Sequence, residues 1–407
     1  MKKYYFGLDV LRGLGIFFVI VLHSAFYFFD GVYDIDLNNP SLVVTLIGFL
    51  LMFAGLFAMI SGTVHSLSYE KKRETLSKKA LLKYMVMTGV VLLVVAYLYF
   101  IFTGPGLINF SDRSMDESIF VALFNQGTFV LPSIERLFYV DSLVMLALNV
   151  MLLGVVWYAL DRFKTQKNFK YIVLLVATLF MIVSYIRIPL YNVYLNAADN
   201  NNYFVMILLN YFVNKNNPIF PFFAFALFGM FIGVLLKEGN YKSLKRHLLT
   251  VGLIYLVVGI TGYILAPETM LERAIDPTWY FIMVMQIGLF LMLTLAFLRI
   301  YDFAKVKKAN KVSKFISRFG VAGLSAFFIE STVSVIIFRS LNLFTTVRFG
   351  MFEAIIYGLV LALLWGFFFI WWEKKNYIYG VEHFMTTFLK RFGPSTKNEK
   401  LKGNTDV

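Results

Sequence analysis

Three ionisable residues stand on one greasy stretch near the amino end, GLDVLRGLGIFFVIVLH, residues 7–23: Asp9, Arg12 and His23. An imidazole can take and return a proton, or attack an electrophile, near neutral pH. A guanidinium stays charged and forks onto phosphate or carboxylate oxygens. On a helix, Arg12 and His23, eleven residues apart, share a face with about 16 Å of rise between them. Asp9, three residues before Arg12, falls on that face too. The result is a polar stripe on a segment that otherwise prefers hydrocarbon. Ionisable groups in such segments are costly and usually face a cavity or a pathway.

Glu330 is the natural candidate to complete the stripe, because it lies near the middle of another apolar run, followed by Ser331. A carboxylate there needs a partner, which could be His23, an arginine or a bound ligand. His65 sits toward one end of a further apolar run and could touch a ligand. Arg136 and Asp141 mark the end of another and could line a pocket. Each has a plainer reading. Arg12 could snorkel to lipid phosphates with Asp9 as its local partner, and His23 could sit idle among headgroups. Glu330 could belong to a structural ion pair, His65 could be packing, and Arg136 and Asp141 could form a solvated helix end.

The elements that must position these residues follow from composition. Of the 407 residues, 59% are hydrophobic, 15% are charged and 45 are phenylalanine. Soluble domains sit nearer half apolar and a quarter charged, so the expected fold is all-α, a polytopic membrane protein. There is no cysteine, which excludes disulfides, thiolate metal sites and a cysteine nucleophile. A span needs about 20 apolar residues. That ruler finds ten, near 6–29, 41–68, 80–103, 137–160, 171–188, 218–236, 248–266, 279–299, 319–338 and 350–372. All should be helices, since unpaired backbone amides are not tolerated in lipid. The second span is long enough to tilt or to extend beyond the membrane surface.

Loop charge orients them. Lys71, Lys72, Arg73, Lys78 and Lys79 fill the second loop, and basic residues also fill the fourth, sixth and eighth. The odd loops carry Asp34, Asp116, Glu117, Asp199 and Glu268 instead. By the positive-inside rule this alternation places both termini in the cytoplasm. It also explains the net charge of +14 without nucleic acid as a partner; the partner is the lipid bilayer. Residues 1–393 read as a single transmembrane domain and 394–407 as a disordered cytoplasmic tail. No A-x-A-like cleavage site follows His23, so the first span should be retained. Two apolar stretches in outer loops, 119–124 and 203–212, should form short helices. Nothing in the sequence specifies an oligomeric state.

The pattern D-x-x-R-G, an apolar run, then histidine eleven past the arginine resembles the first-helix signature of transmembrane acyltransferases. That superfamily includes the heparan-α-glucosaminide N-acetyltransferase-like proteins and, as a neighbouring branch, membrane O-acyltransferases of surface polysaccharides. LFAMISGTVHSLS (56–68) resembles the S-G motif of its second helix. NPIFPFFAFALFGMFIG (217–233) is similar to its proline-led helix with two glycines four apart. GVAGLSAFFIEST (320–332) resembles its late L-S helix, and YGVEHFMTTFLKRFG (379–393) its carboxy-terminal G-x-E segment. The matches run in order along nearly the whole chain and favour the first branch; residues 104–215 match poorly and leave the acceptor open.

The resemblance implies an integral membrane acyltransferase at the cell membrane. It would take an acyl group, acetyl above all, from cytoplasmic acyl-CoA and pass it to an extracytoplasmic glycan or other envelope acceptor. His23 would then be catalytic, as base or covalent carrier, with Glu330 beside it. Asp9, Arg12 and His65 would serve the donor, acetyl-CoA being a co-substrate rather than a bound cofactor. Arg136 and Asp141 would face the acceptor. No metal is expected, since the chain has neither a P-loop nor a His/carboxylate metal spacing. The competing class is a proton-coupled transporter or flippase using His23 and Glu330; no internal repeat is evident, which weighs against it.

Overall fold

The computed structural model describes residues 4–36, 40–51, 53–110, 112–266, 275–304 and 309–394. The expected tail, past Pro394, lies outside the described residues, as does Glu268. Among the described residues ten helical segments are long and apolar enough to cross a membrane, and the architecture is all-α apart from one short hairpin. An even number of crossings puts both ends on one side. The basic even-numbered loops assign that side to the cytoplasm.

The first span is α1 (Phe6–Phe28). The second is two helices, α2 (Leu42–Leu51) and α3 (Ala54–Lys72), and the third is α4 (Lys78–Leu98), ending in a wide turn over Tyr99–Thr103. An outer hairpin, β1 (Leu107–Asn109) and β2 (Ser114–Asp116), is followed by short helices α5 (Ile119–Gln126) and α6 (Ile134–Leu137). The fourth span is α7 (Ser142–Leu160). The fifth runs from α8 (Phe169–Val183) through a tight turn into α9 (Arg187–Asp199), and α10 (Tyr203–Val213) follows. Then come α11 (Ile219–Glu238), α12 (Tyr241–Leu265), α13 (Pro277–Tyr301), α14 (Lys311–Val321), α15 (Gly323–Asn342), α16 (Met351–Glu373) and α17 (Val381–Phe392). Both apolar stretches expected to form short outer helices do so, as α5 and α10.

Several spans depart from their expected form: the fourth begins at Ser142 rather than 137, the fifth continues past 188 to Asp199, and two others are broken or shortened. The second, expected as one helix over 41–68, breaks at Phe53. Beyond the break Gly55 lies flat against the Phe225 ring, which holds α3 tightly on α11, whereas Val44 and Gly48 of α2 turn to an outward cavity. The ninth, expected over 319–338, begins only at Gly323. Residues 319–321 belong instead to α14, an amphipathic helix with Lys311, Lys314 and Arg318 on its polar side. A methyl group on Gly320 would strike the Asp9 carbonyl, and one on Gly13 the Ile316 carbonyl, so α14 and α1 touch backbone to backbone.

α11 is buried along almost its whole length and anchors one apolar core with α3, α7, α8 and α13. Its Gly229 abuts the Met59 backbone and its Ala226 carbonyl abuts Gly62, the small-residue contact that lets membrane helices pack by dispersion alone. A second core gathers α1, α14, α15 and α16. Along α1, His23 faces α15, whereas Arg12 is paired with Asp9 on its own helix. The cytoplasmic start of α1 is fixed by Asp302, whose carboxylate accepts from Phe6 N at 2.8 Å and Gly7 N at 2.9 Å, an anion at a helix amino end.

Candidate functional site

His23 lies in the outer third of α1. Its Nδ1 is 2.8 Å from Glu330 Oε1. Glu330 is fully buried on α15, and Ser331 Oγ donates to the same oxygen at 2.7 Å. With Glu330 as a carboxylate, which can only accept, Nδ1 would carry the proton and Nε2 the ring's lone pair. The edge of Phe327 packs on the imidazole, centroids 5.7 Å apart. The register of α1 against α15 and α16 is pinned one residue further out. Ser24 Oγ is 3.2 Å from Ser334 Oγ, and Tyr357 Oη donates to the Ser334 carbonyl at 2.6 Å. The pair that sequence alone could only suggest is thus built by two helices 307 residues apart in sequence.

A cavity of about 770 Å³ opens outward from this pair. His23, Tyr27, Tyr99, Tyr139, Asp141 and Phe327 line its inner part, and the β1–β2 hairpin forms part of its wall. Asp141 caps α7, Oδ1 accepting from Val144 N at 2.7 Å. Its Oδ2 is buried with no partner among the described residues, and Asp141 lies within electrostatic reach of His23.

Arg136 is placed differently from expectation. It is almost wholly buried, and Nε, Nη1 and Nη2 donate to the carbonyls of Phe100 (2.7 Å), Asp116 (2.8 Å) and Pro105 (2.8 Å). The guanidinium also stacks 4.5 Å from the Phe100 ring. Burial pulls its pKa below the ordinary arginine value, and the Asp116 charge partly opposes this. Arg136 rivets the cavity wall, with its donors spent on backbone.

The cytoplasmic group stands apart from the cavity. Arg12 Nη2 is 2.9 Å from Asp9 Oδ1, and Tyr4 Oη donates to the other Asp9 oxygen. His65, part-exposed on α3, is near enough to sense the Arg12 charge. Several loop cations around them hold helix ends together. Glu70 pairs with Lys164 at 2.7 Å and with Lys237; Asp161 pairs with Arg73 at 3.2 Å and Lys78 at 3.4 Å. The structure thus gathers His23, Glu330 and Asp141 at one site and Asp9, Arg12 and His65 at another, deeper toward the cytoplasm.

Two lining residues escaped sequence reasoning. Tyr27 stands four residues beyond His23, one turn up the same face. Its hydroxyl donates to Glu117, itself held by Asn125 (2.6 Å) and Gln126 (2.9 Å). The i, i+4 spacing from His23 was a readable signal for Tyr27. Tyr99 offered none, because its place depends on the turn that ends the third span.

Neither a curated protein nor a solved structure matches the chain. A family model described as an acyltransferase domain does match, over residues 5–372. That stretch carries both residue groups and nine complete spans with nearly all of the tenth, and the chain belongs to this acyltransferase family.

Proposed function

We propose that this multi-pass membrane acyltransferase takes an acetyl group from cytoplasmic acetyl-CoA and delivers it to a hydroxyl or amine of an extracytoplasmic glycan. The reading places it in the cell membrane and in the heparan-α-glucosaminide N-acetyltransferase-like branch. The observation that carries it is the His23–Glu330 pair: a buried carboxylate orients an imidazole toward an outward cavity, on a helix whose other end is cytoplasmic.

In this mechanism His23 Nε2 takes the proton of the attacking acceptor. The acceptor oxygen or nitrogen bonds to the acyl carbon as the carbon–sulfur bond breaks, and the proton passes to the departing thiolate. Glu330 stabilises the imidazolium formed in between, the role of a buried carboxylate behind a catalytic histidine. If Nε2 itself accepts the acyl group first, an acyl-imidazole carries it and the acceptor then displaces the imidazole. CoA phosphates would lie near Arg12 and His65, about 16 Å below His23 along α1, with the extended pantetheine arm bridging the interval.

Purified protein, acetyl-CoA and a glycan acceptor provide the test, with free thiol followed over time. His23→Ala should lose about 10²-fold or more of the rate, while Arg12→Ala should raise KM for acetyl-CoA. A small burst of thiol before steady state would favour the covalent route. Undiminished release in His23→Ala overturns its assignment, and failure of the wild type to bind CoA would favour a proton-coupled transporter.

A further inference from the structure

The charged residues that line the outward cavity are mostly acidic. Among the described residues that line it Asp112, Asp116 and Asp141 are acidic, and besides the His23 imidazole Lys215 is the single cation. Two of these carboxylates have protein donors. Asp112 Oδ1 accepts from Ser114 N at 3.1 Å and Ser114 Oγ at 2.6 Å, and Asp116 Oδ2 from Ser133 Oγ at 2.7 Å. Asp141 is different. It is 6% exposed, Oδ1 is committed to the cap of α7, and Oδ2 is shut from water with no donor among the described residues. Buried carboxylate oxygens are nearly always satisfied. One left so beside His23 is an acceptor waiting for an O–H or N–H donor.

Taking the cavity to be the acceptor site of the proposed transfer, we infer that Asp141 is a specificity-determining residue. Its Oδ2 receives a hydroxyl or ammonium group adjacent to the reacting one, and the cavity selects uncharged or amino-bearing sugars over acceptors bearing phosphate or carboxylate. An anionic substituent here would meet the carboxylates of Asp112 and Asp116 and, in its ionised form, Asp141, against Lys215 in the lining and the Arg136 guanidinium buried in the wall. A polyol meets acceptors for its hydroxyls, and Tyr139 and Phe327 contribute aromatic side chains to the lining. Orientation follows as well. A ring held by one hydroxyl on Asp141 presents its neighbour to His23, so Asp141 also selects which position is acylated.

Binding to the full-length protein in detergent, without acyl donor, tests this. Calorimetry would compare methyl glucoside, glucosamine, glucuronate and glucose 6-phosphate. The first two should bind about 10-fold or more tightly than the last two, the size of a charge-assisted hydrogen bond gained or denied. Asp141→Asn keeps Oδ1 as the helix cap but puts an N–H₂ where Oδ2 was. It should weaken methyl glucoside and narrow the gap to the anionic probes, with an unchanged unfolding midpoint. Asp141→Ser, which also caps helices, should weaken methyl glucoside similarly. Equal or tighter binding of an anionic probe, no binding of any of the four, or unaltered selectivity in Asp141→Asn overturns the inference. Selective binding with no acyl transfer would instead sink only the acyltransfer reading of the cavity.

Discussion

Glu330 places a carboxyl group at a depth where lipid surrounds the protein, and among the described residues its Oε1 meets only the Ser331 hydroxyl and His23 Nδ1. Replacing the carboxyl by an amide of the same shape separates positioning from electrostatics. Glu330→Gln still presents an oxygen to Nδ1–H but no longer stabilises an imidazolium. It should lower kcat about 10²-fold or more with little change in KM; a loss confined to KM in initial-rate kinetics would make Glu330 a binding group instead. Arg136 makes the opposite case. Lysine in its place keeps the charge but, as a point donor, cannot reach three carbonyls in a plane. Arg136→Lys should therefore cost about 2–4 kcal/mol of stability, read as a lower unfolding midpoint, before any effect on acceptor affinity. From sequence Glu330 lay near the middle of an apolar run and Arg136 at the end of one, each a charge offered as a site residue. What distinguishes them is whether the nearest partner is a side chain on another span or the backbone of a folded loop, and no local spacing records that. His23 and Glu330 stood out in the sequence because charge inside lipid is rare, but which partner Glu330 meets, His23, an arginine or a ligand, was left open until the helices were placed.

Helix ends decide how firmly that pair is held. Glu382 of α17 accepts from Leu324 N at 2.7 Å and Ser325 N at 3.1 Å, and its other oxygen takes the Ser325 hydroxyl. It thereby satisfies the first free amides of α15, two turns before Glu330, and adds a favourable charge to the helix dipole. The rest of α17 is amphipathic. Phe384 and Phe392 are exposed on the helix whose last turn carries Lys390 and Arg391, the composition of a helix resting in a membrane interface. Glu382→Ala should destabilise the fold by about 1–2 kcal/mol, lowering the unfolding midpoint in detergent, and Glu382→Gln should recover part of it. An unchanged midpoint in Glu382→Ala would show the cap to be dispensable. The ten spans were legible because a 20-residue apolar window is a demand of the bilayer itself. The breaks within them were not. At Phe53 the chain stays apolar on both sides, and Gly55 seats on Phe225 just beyond the turn. Around Ala322 the small residues of GVAG continue the hydropathy of α15 although α14 has already ended.

For the whole molecule, every functional statement turns on which face is outside. Ten crossings leave two mirror choices, and the lysine-rich loops select the one in which His23 and its cavity face away from the cytoplasm. The same choice puts Arg12 on the side where acyl-CoA is made. The absence of cysteine from the chain makes this directly measurable, since any single introduced thiol is the only one. Thr75, exposed between α3 and α4, and Thr346, exposed between α15 and α16, lie on opposite faces. In intact cells a membrane-impermeant maleimide should label Thr346→Cys and spare Thr75→Cys until the membrane is opened. If both label from outside, the span count between them is wrong. If only Thr75→Cys labels, the molecule is inverted. The cavity would then open to the cytoplasm, donor and acceptor would meet on one side, and the three turns between Arg12 and His23 would no longer describe a passage across the bilayer.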